Sequence, residues 1–502
     1  MVATIPYIVT SSNTPSIPTD GTADIVVRDN ATYTIDATSV AKSYGKVAVY
    51  PTAKLIVKAD NAANNLTFKS LEMLGGIDII SGVENKYQVP QLQLTGSFKV
   101  TSEEILYRMR TDKAQQYQVS FPYDVAMSAI TRDDAKEVVM NTNLLIKKYN
   151  GANRADGGRR GDETLPTWEA ISNTTGNLTA GTGYTIASAK GYYNRNIINF
   201  PMAISGGTVS QGDKDITVSF YEGTSTKDID KGWNLLGNPY LSQLSYAAGD
   251  HVYIGSTDYS DNLVVYIPYN DGTDYYQGMY SVITSAYPLL PFKHFFVQAS
   301  SNTTLTFHAP VGGSYAPETI SPTSAKFCLH LQGANDSDDA YFRVADDLTA
   351  GYDIMGDNEK MFGSAKTSKL YSIYGGDKLL TVGINKDLTA QPIQLGFIAS
   401  KTGQYTINLN EVWQNIDNVT NIYLYDNGAL VADLMTGDYG FTSNAGTFDS
   451  RFQVLIVMGA NAPTQMQGVQ NQYNRTVKVL RDQQIQIFRN GAWYNALGHK
   501  LQ

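Results

Sequence analysis

The sequence predicts an all-β, multi-domain chain, and three observations carry that prediction. Period-2 alternation of apolar and polar residues, bounded by turn signals, dominates the chain, whereas helical periodicity over about ten residues is hard to find. Hairpin-type dipeptides recur at Asp20-Gly21, Asn150-Gly151, Asp271-Gly272, Asn427-Gly428 and Asn490-Gly491; both central positions of a type I′ turn need positive φ, which Asn, Asp and Gly adopt most readily. The length of 502 residues predicts about two to four domains at ~100–200 residues each.

The opening region, 1–85, consists of short β-branched strands: ADIVVRD, ATYTIDA, KVAVYP, AKLIVKA and LTFKSLEML. Asn30-Ala-Thr-Tyr-Thr-Ile and Thr52-Ala-Lys-Leu-Ile-Val read as one rung written twice, with Ala31 and Ala53 twenty-two residues apart. That period fits stacked coils of a β-solenoid, each burying its face on the next; the edge of a plain sandwich would give a similar pattern. Region 86–322 reads as a first β-sandwich module with longer strands. Within it Glu104-Ile-Leu-Tyr-Arg-Met-Arg110 alternates as a half-buried strand should, and Tyr117 to Asp124 reads as a strand ending at a proline. The stretch 151–161, rich in glycine and charge, reads as an exposed loop. The Pro-rich seam Tyr315–Pro322 suits a linker, because proline fixes φ and lacks a donor. Region 323–460 carries strands at roughly ten-residue spacing, as an Ig-like sandwich or jelly roll requires. Region 461–502 holds an Asn-, Gln- and Met-rich spacer and a C-terminal hairpin, VKVLRDQQIQIFRNGAWYNALG, too short to bury a core alone.

Composition excludes several classes of function. Thirty-eight basic and 47 acidic residues leave a net charge of −9 without blocks of like sign, so the electrostatic footprint of a nucleic-acid binder is missing. A single cysteine, Cys328, rules out an internal disulfide and a Cys-rich metal site, and five scattered histidines leave little for zinc. No apolar run reaches the ~18–20 residues of a transmembrane helix. The first twenty residues lack the basic start and apolar stretch of a signal peptide. The chain is then either not exported by that route or a mature form or fragment without its leader.

Candidate chemistry is sparse. Asn335-Asp-Ser-Asp-Asp339, with Asp346, Asp347, Asp353, Asp357 and Glu359, brings together oxygen ligands of the kind calcium needs, without the spacing of an EF-hand; solvated turns between strands are the alternative. Cys328 and His330 share one strand face, where Cys328 reads as a small core hydrophobe. His294 and His308 flank the aromatic strand Phe292–Gln298. Nucleophile-elbow, phosphate-loop and zinc-helix motifs are missing, and the glycine pairs Gly75-Gly76 and Gly181-Thr-Gly-Tyr184 lack the strand-to-helix context of phosphate binding. Carboxylate pairs are common enough among 47 acids to leave a glycosidase open. Tyr192-Tyr193, Tyr275-Tyr276 and Tyr266/Tyr269 could stack on sugars, with Trp168 a further aromatic; tyrosine is also a good strand and interface residue. No catalytic, cofactor-binding or metal residue is therefore assigned.

Several longer phrases are more specific. Gly232-Trp-Asn-Leu-Leu-Gly-Asn-Pro-Tyr240 resembles the "GWNLIGNPY" segment of Bacteroidetes surface and secreted proteins, and Phe292-Lys-His-Phe-Phe-Val297 resembles the "FFV" strand that follows it. Tyr117 to Asp124 and Ala180-Gly-Thr-Gly-Tyr184 resemble two upstream strands of the same module. Further on, Pro392–Phe397, Gly403–Ile407, Ile422–Asp426 and Asp449–Leu455 resemble the strands of the closing sandwich, and Val477–Gly498 resembles the C-terminal sorting signal of type IX secretion. The resemblance covers about 90–502, and in overall arrangement the chain is similar to S-layer-like surface proteins of the Bacteroides and Parabacteroides group.

The resemblance implies a non-enzymatic structural protein at the extracellular, outer-membrane-associated cell surface. Its implied partners are further copies in a surface array, the type IX secretion machinery and a cell-surface glycan or lipopolysaccharide; nucleic acid is not among them. A surface adhesin or glycan-binding module is the alternative. Full-length members begin with a leader and a long repetitive region, so 1–502 is expected to be the C-terminal part of a longer protein, and the short tail makes a cleavable signal less secure.

Overall fold

A computed structural model describes residues 5–59, 65–77, 87–111, 116–134, 136–159, 162–188, 196–210, 212–244, 263–269, 277–282, 289–309, 325–354, 356–363, 366–389, 391–414, 419–458, 477–481, 484–489 and 492–495. The chain divides into two compact units: Met1–Tyr259, Leu263–Tyr276 and Ile283–Pro317 form the first, and Ser260–Asn262, Gln277–Val282 and Glu318–Gln502 the second. Both are built of strands, as the alternation predicts. Among the described residues α-helix is confined to Gly151–Ala155.

The echo of Ala31 in Ala53 is a rung repeat in space. Thr32–Ala37 lies parallel to Lys54–Ala59 with Thr32 opposite Lys54, and Ile25–Val27 lies parallel to Lys42–Val49 with Ile25 opposite Val47. Both offsets are 22 positions (32 to 54, 25 to 47). One parallel stack thus runs Tyr7–Val9, Ile25–Val27, Lys42–Val49, Leu66–Ile77 and Glu104–Thr111. The other runs Thr32–Ala37, Lys54–Ala59 and Gln91–Thr95. The chain alternates between the stacks through short corners, which is solenoid winding and not a helix-crossed parallel sheet. Inward residues of both stacks, including Val27, Val49 and Met73 from one and Ile35, Val57 and Leu94 from the other, share a single core. The corners repeat as well: Asn30 at φ 60° and Thr52 at φ 69° each precede a buried alanine.

At Glu104–Thr111 the sheet changes character. One edge pairs parallel with Leu66–Ile77, the other antiparallel with Asn196–Ala203. Tyr107 from this strand stacks on Phe292, with ring centroids 3.8 Å apart, and lies beside Phe121 and Phe200. Gly75, two residues past Met73, the partner of Tyr107, leaves room for the ring, since a Cβ there would meet the Tyr107 hydroxyl at 2.2 Å. One hydrophobic core therefore runs from Val9 to Phe292. Three further antiparallel groups belong to the described part of this unit: Gln116–Ser120, Gly183–Ser188, Leu144–Tyr149 and Trp168–Ala170 pair in that order, Trp233–Gly237 pairs with His294–Gln298, and Lys214–Val218 pairs with Thr303–Phe307.

The exposed loop expected at 151–161 is corrected. Gly151–Ala155 is a short helix with Gly151, Arg154 and Ala155 buried, and Asn150 caps it by accepting the Asn153 N–H at 2.9 Å. Asn150-Gly151 is consequently a helix start and not a hairpin, because the same asparagine carbonyl that suits a turn also suits an N-cap. Asn427-Gly428 is the expected hairpin, with φ of 49° and 79° between Val419–Asp426 and Ala429–Asp433. Asp271-Gly272 and Asn490-Gly491 lie outside the described residues.

In the second unit an 11-stranded sheet runs, among the described residues, from Ala429–Asp433 at one end to Tyr439–Ser443 at the other. Phe397, on Ile393–Ala399, touches Tyr405 and Phe441 at centroid distances of 5.1 and 5.3 Å, although their strands lie at the far end of that order. The sheet is folded over on itself, so its halves pack as a sandwich. Ser337–Ala345 and Asp377–Asn385 pair in parallel within it. Val477–Arg481, Gln484–Arg489 and Ala492–Asn495 form a separate antiparallel sheet.

Candidate functional site

The phrase Gly232–Tyr240 is occupied almost entirely with folding. Gly232 sits at φ +69°, and a Cβ there would lie 2.0 Å from the Ala299 carbonyl oxygen. Trp233 is fully buried and its Nε1 donates to the Ile229 carbonyl at 2.8 Å. The Asn234 side chain accepts the Ser219 N–H and donates to the Ser219 carbonyl. Asn238, fully enclosed, donates from Nδ2 to the carbonyls of Ser242 and Leu289 and accepts the Tyr240 N–H on Oδ1. The Tyr240 hydroxyl meets the Phe307 carbonyl.

The other phrases of that module meet it along one seam. Gly237 N–H donates to the Gly181 carbonyl at 2.8 Å, and Gly181 N–H to the Phe121 carbonyl at 2.9 Å. Ser120 N–H reaches the Phe292 carbonyl, and Asn238 N–H the Lys293 carbonyl. Asp124 receives the Ala180 N–H on its carboxylate at 2.8 Å. The segments around 117–124, 180–184, 232–240 and 292–297 are therefore hydrogen-bonded to one another.

The seam opens on a cleft of about 720 Å³, within the ~300–1,000 Å³ of small-ligand sites. Tyr123, Asp124, Asn177, Lys214 and Asp215 line it with the backbone of Gly181, and Glu103, Ser205, Thr208 and Ser210 add polar groups. Lys214 Nζ lies 5.5 Å from the centre of the Tyr123 ring. Burial pushes the Tyr123 hydroxyl up to about 12, so it stays protonated at neutral pH. Asp215 is fixed by the Thr306 hydroxyl at 2.7 Å. An aromatic face ringed by carboxylates, an amide, hydroxyls and one ammonium can stack on a ring and hydrogen-bond its substituents.

The acids of 335–359, Cys328, the histidines and Trp168 do not converge on this cleft. Asp336 accepts the Ser368 N–H and the Ser400 hydroxyl. Asp338 pairs with Lys360, and Asp339 with His330 at 2.7 Å. Asp346 pairs with Lys386 and Asp347 with Arg343. Asp353 accepts the Thr349 N–H, while Asp357 accepts those of Asp353 and Gly383, and burial raises its carboxyl to about 7. Among the described residues no group of three or more His, Cys, Asp and Glu is placed to hold a metal ion. Cys328 is buried. The hydrogen bond to Asp339 raises the His330 imidazole above its usual value. His308 is bonded to Asp213 at 2.8 Å. His294 is enclosed beside Trp168 and Phe296, with neither ring nitrogen hydrogen-bonded, and burial lowers it to about 3. Trp168 itself packs edge-on against Tyr149 and Phe296. Tyr192-Tyr193 and Tyr275-Tyr276, and the side chains of Tyr266 and Tyr269, lie outside the described residues. Among those residues no helix is long and apolar enough to cross a membrane.

Fold and cleft together define an all-β, multi-domain protein with sandwich-like packing and a polar, aromatic depression. Residues 316–456, which include most strands of the folded-over sheet, match the model of a Domain of unknown function (DUF8693). No curated protein and no solved structure matches the chain.

Proposed function

We propose that this chain is a non-enzymatic structural protein of the cell surface, a surface-layer or surface-array component exported by type IX secretion. The observation that carries the reading is the seam: the phrases resembling Bacteroidetes surface proteins direct Asn234, Asn238 and Tyr240 inward to backbone partners. Such a sequence is kept for a scaffold and its placement, with the chemistry of contact left to surfaces. Further copies of the chain are the main partner, the sorting tail addresses the secretion machinery, and a cell-surface glycan or lipopolysaccharide supplies the attachment. Electron microscopy of concentrated protein, with and without calcium, tests this. Ordered lateral arrays are expected, and dispersed monomers under every condition would overturn it.

A glycan-binding adhesin is the second reading, favoured by Tyr123 and its polar surround in the cleft. On a glycan array Tyr123→Ala should lower binding of any captured glycan by about tenfold or more, on the order of the ~1–3 kcal/mol of a stacked ring. No hits for the unaltered protein would remove this reading and leave the first in place.

A further inference from the structure

A lysine and an aspartate are sealed together inside the second unit. Lys360 directly follows Asn358–Glu359, which borders Asp377–Asn385, and its own N–H donates to the Lys378 carbonyl at 2.9 Å. Asp338 lies on Ser337–Ala345, the parallel neighbour of that same strand on its other side. The fold thus brings the two side chains together from either side of one strand. Lys360 Nζ stands 2.7 Å from Asp338 Oδ2, and both side chains are 0% exposed. Nζ also donates to the Asp339 carbonyl at 2.8 Å. Asp338 Oδ2 accepts the Leu370 N–H at 2.9 Å, while Oδ1, equally buried, has no hydrogen-bond partner.

As a permanent ion pair this arrangement is poorly made. Two buried charges offset their desolvation only when the remaining lone pairs and protons are satisfied, and here one carboxylate oxygen faces no donor. Burial raises the Asp338 carboxyl, and it lowers the amine of neighbouring Lys369 to about 8. As reactants, by contrast, the two groups are well placed. An amine this close to a carboxyl oxygen is near the ~3–3.5 Å attack distance of its carbon, the Leu370 N–H sits on the oxygen where negative charge would develop, and solvent that would hydrolyse the product is excluded.

We propose that Lys360 and Asp338 condense into an intramolecular amide, so that this pair is a self-forming covalent cross-link of the sandwich. The ammonium first gives up a proton to the carboxylate. The freed lone pair on Nζ attacks Cγ and forms the Nζ–Cγ bond, while Leu370 N–H holds Oδ2 in the tetrahedral intermediate. The Cγ–Oδ1 bond then breaks, and Oδ1 leaves as water with two of the three ammonium protons; the third remains on the amide nitrogen. One positive and one negative charge cancel, and neither oxidant nor reductant is required. The bond would tie Ser337–Ala345 to the segment after Glu359 and close the connection between them into a covalent loop. This inference does not depend on array formation.

Intact-mass spectrometry of the full, denatured chain tests the proposal. The expected mass is that of the sequence less one water, with a branched tryptic peptide joining the segments that contain Asp338 and Lys360. Lys360→Arg, which keeps the charge and loses the nucleophile, should restore the full mass. An unmodified mass in the parent protein overturns the proposal whether or not the variant folds. So does a water loss that persists in Lys360→Arg, which would mark a cyclised aspartate, or a branch that maps to Lys369.

Discussion

Asn238→Ala should unfold the seam at a cost that its hydrogen bonds set. The side chain is fully buried and holds three backbone groups: the Ser242 carbonyl, the Leu289 carbonyl and the Tyr240 N–H. Alanine releases all three into a site closed to water. Leu289 keeps a second donor, the Leu244 N–H at 2.9 Å, so its carbonyl loses little. The Ser242 carbonyl and the Tyr240 N–H each lose the bond that Asn238 supplies. At ~0.5–1.5 kcal/mol net for each of the three hydrogen bonds lost, the cost is about 2–4 kcal/mol, a large share of the ~5–15 kcal/mol that holds a domain together. Asn238→Asp should be worse, because it sets a carboxylate oxygen against two carbonyls where an amide donated. The assay is urea titration read by peptide-resolved hydrogen exchange over Trp233–Gly237. A loss under about 1 kcal/mol for alanine, or an aspartate variant milder than alanine, would show that these bonds do not hold the seam.

Acidification should weaken the first unit through His294. Its folded value of about 3 lies below the ordinary 6.5, so the unfolded chain takes up the proton first. The stability it contributes is complete above 6.5 and drains away as pH falls toward 3, by about 4–5 kcal/mol in all; His294→Phe should flatten this part of a pH–stability curve, and an unchanged slope counts against it. Gly232→Ala should cost at least ~2 kcal/mol in thermal unfolding, from left-handed φ plus the clash with Ala299, whereas Gly157→Ala, at φ +90° with open space around it, should cost about 1 kcal/mol from φ alone. Equal effects would refute the clash. Thr52→Asn copies the residue one rung earlier; it should raise stability by about 1 kcal/mol, since asparagine tolerates positive φ better than a β-branched residue, and a lowered melting temperature would contradict that account.

Legibility in the sequence followed the range of the interaction. The rungs could be read because parallel stacking places Ala31 and Ala53 at equivalent corners, which imposes like residues at a fixed interval. The alternation of Glu104–Arg110 likewise returns as inward Ile105, Tyr107 and Met109. Asn150-Gly151 misled because one side chain serves two local structures. The acids of 335–359 looked like a cluster, but a strand sends neighbours to different partners, Asp338 to Lys360 and Asp339 to His330. Tyr123 and Asp124 of the cleft lay inside a quoted phrase, yet nothing local linked them to Asn177 or Lys214. That link is made by long-range pairings such as Gly181 to Phe121 and Gly237 to Gly181.

The offset of 22 positions that one step of each parallel stack shares also makes length a heritable variable. A tandem duplication of that many codons would insert one whole coil. Each new strand would meet its neighbours in the register they already use, and each corner would fall where a corner is tolerated. A slip by an odd number of residues would turn interior side chains outward, whereas even intervals, such as the 18 from Tyr7 to Ile25 and the 24 from Lys42 to Leu66, keep them inside. Lineages can therefore adjust how far such a protein reaches, one coil at a time, without redesigning what lies on either side.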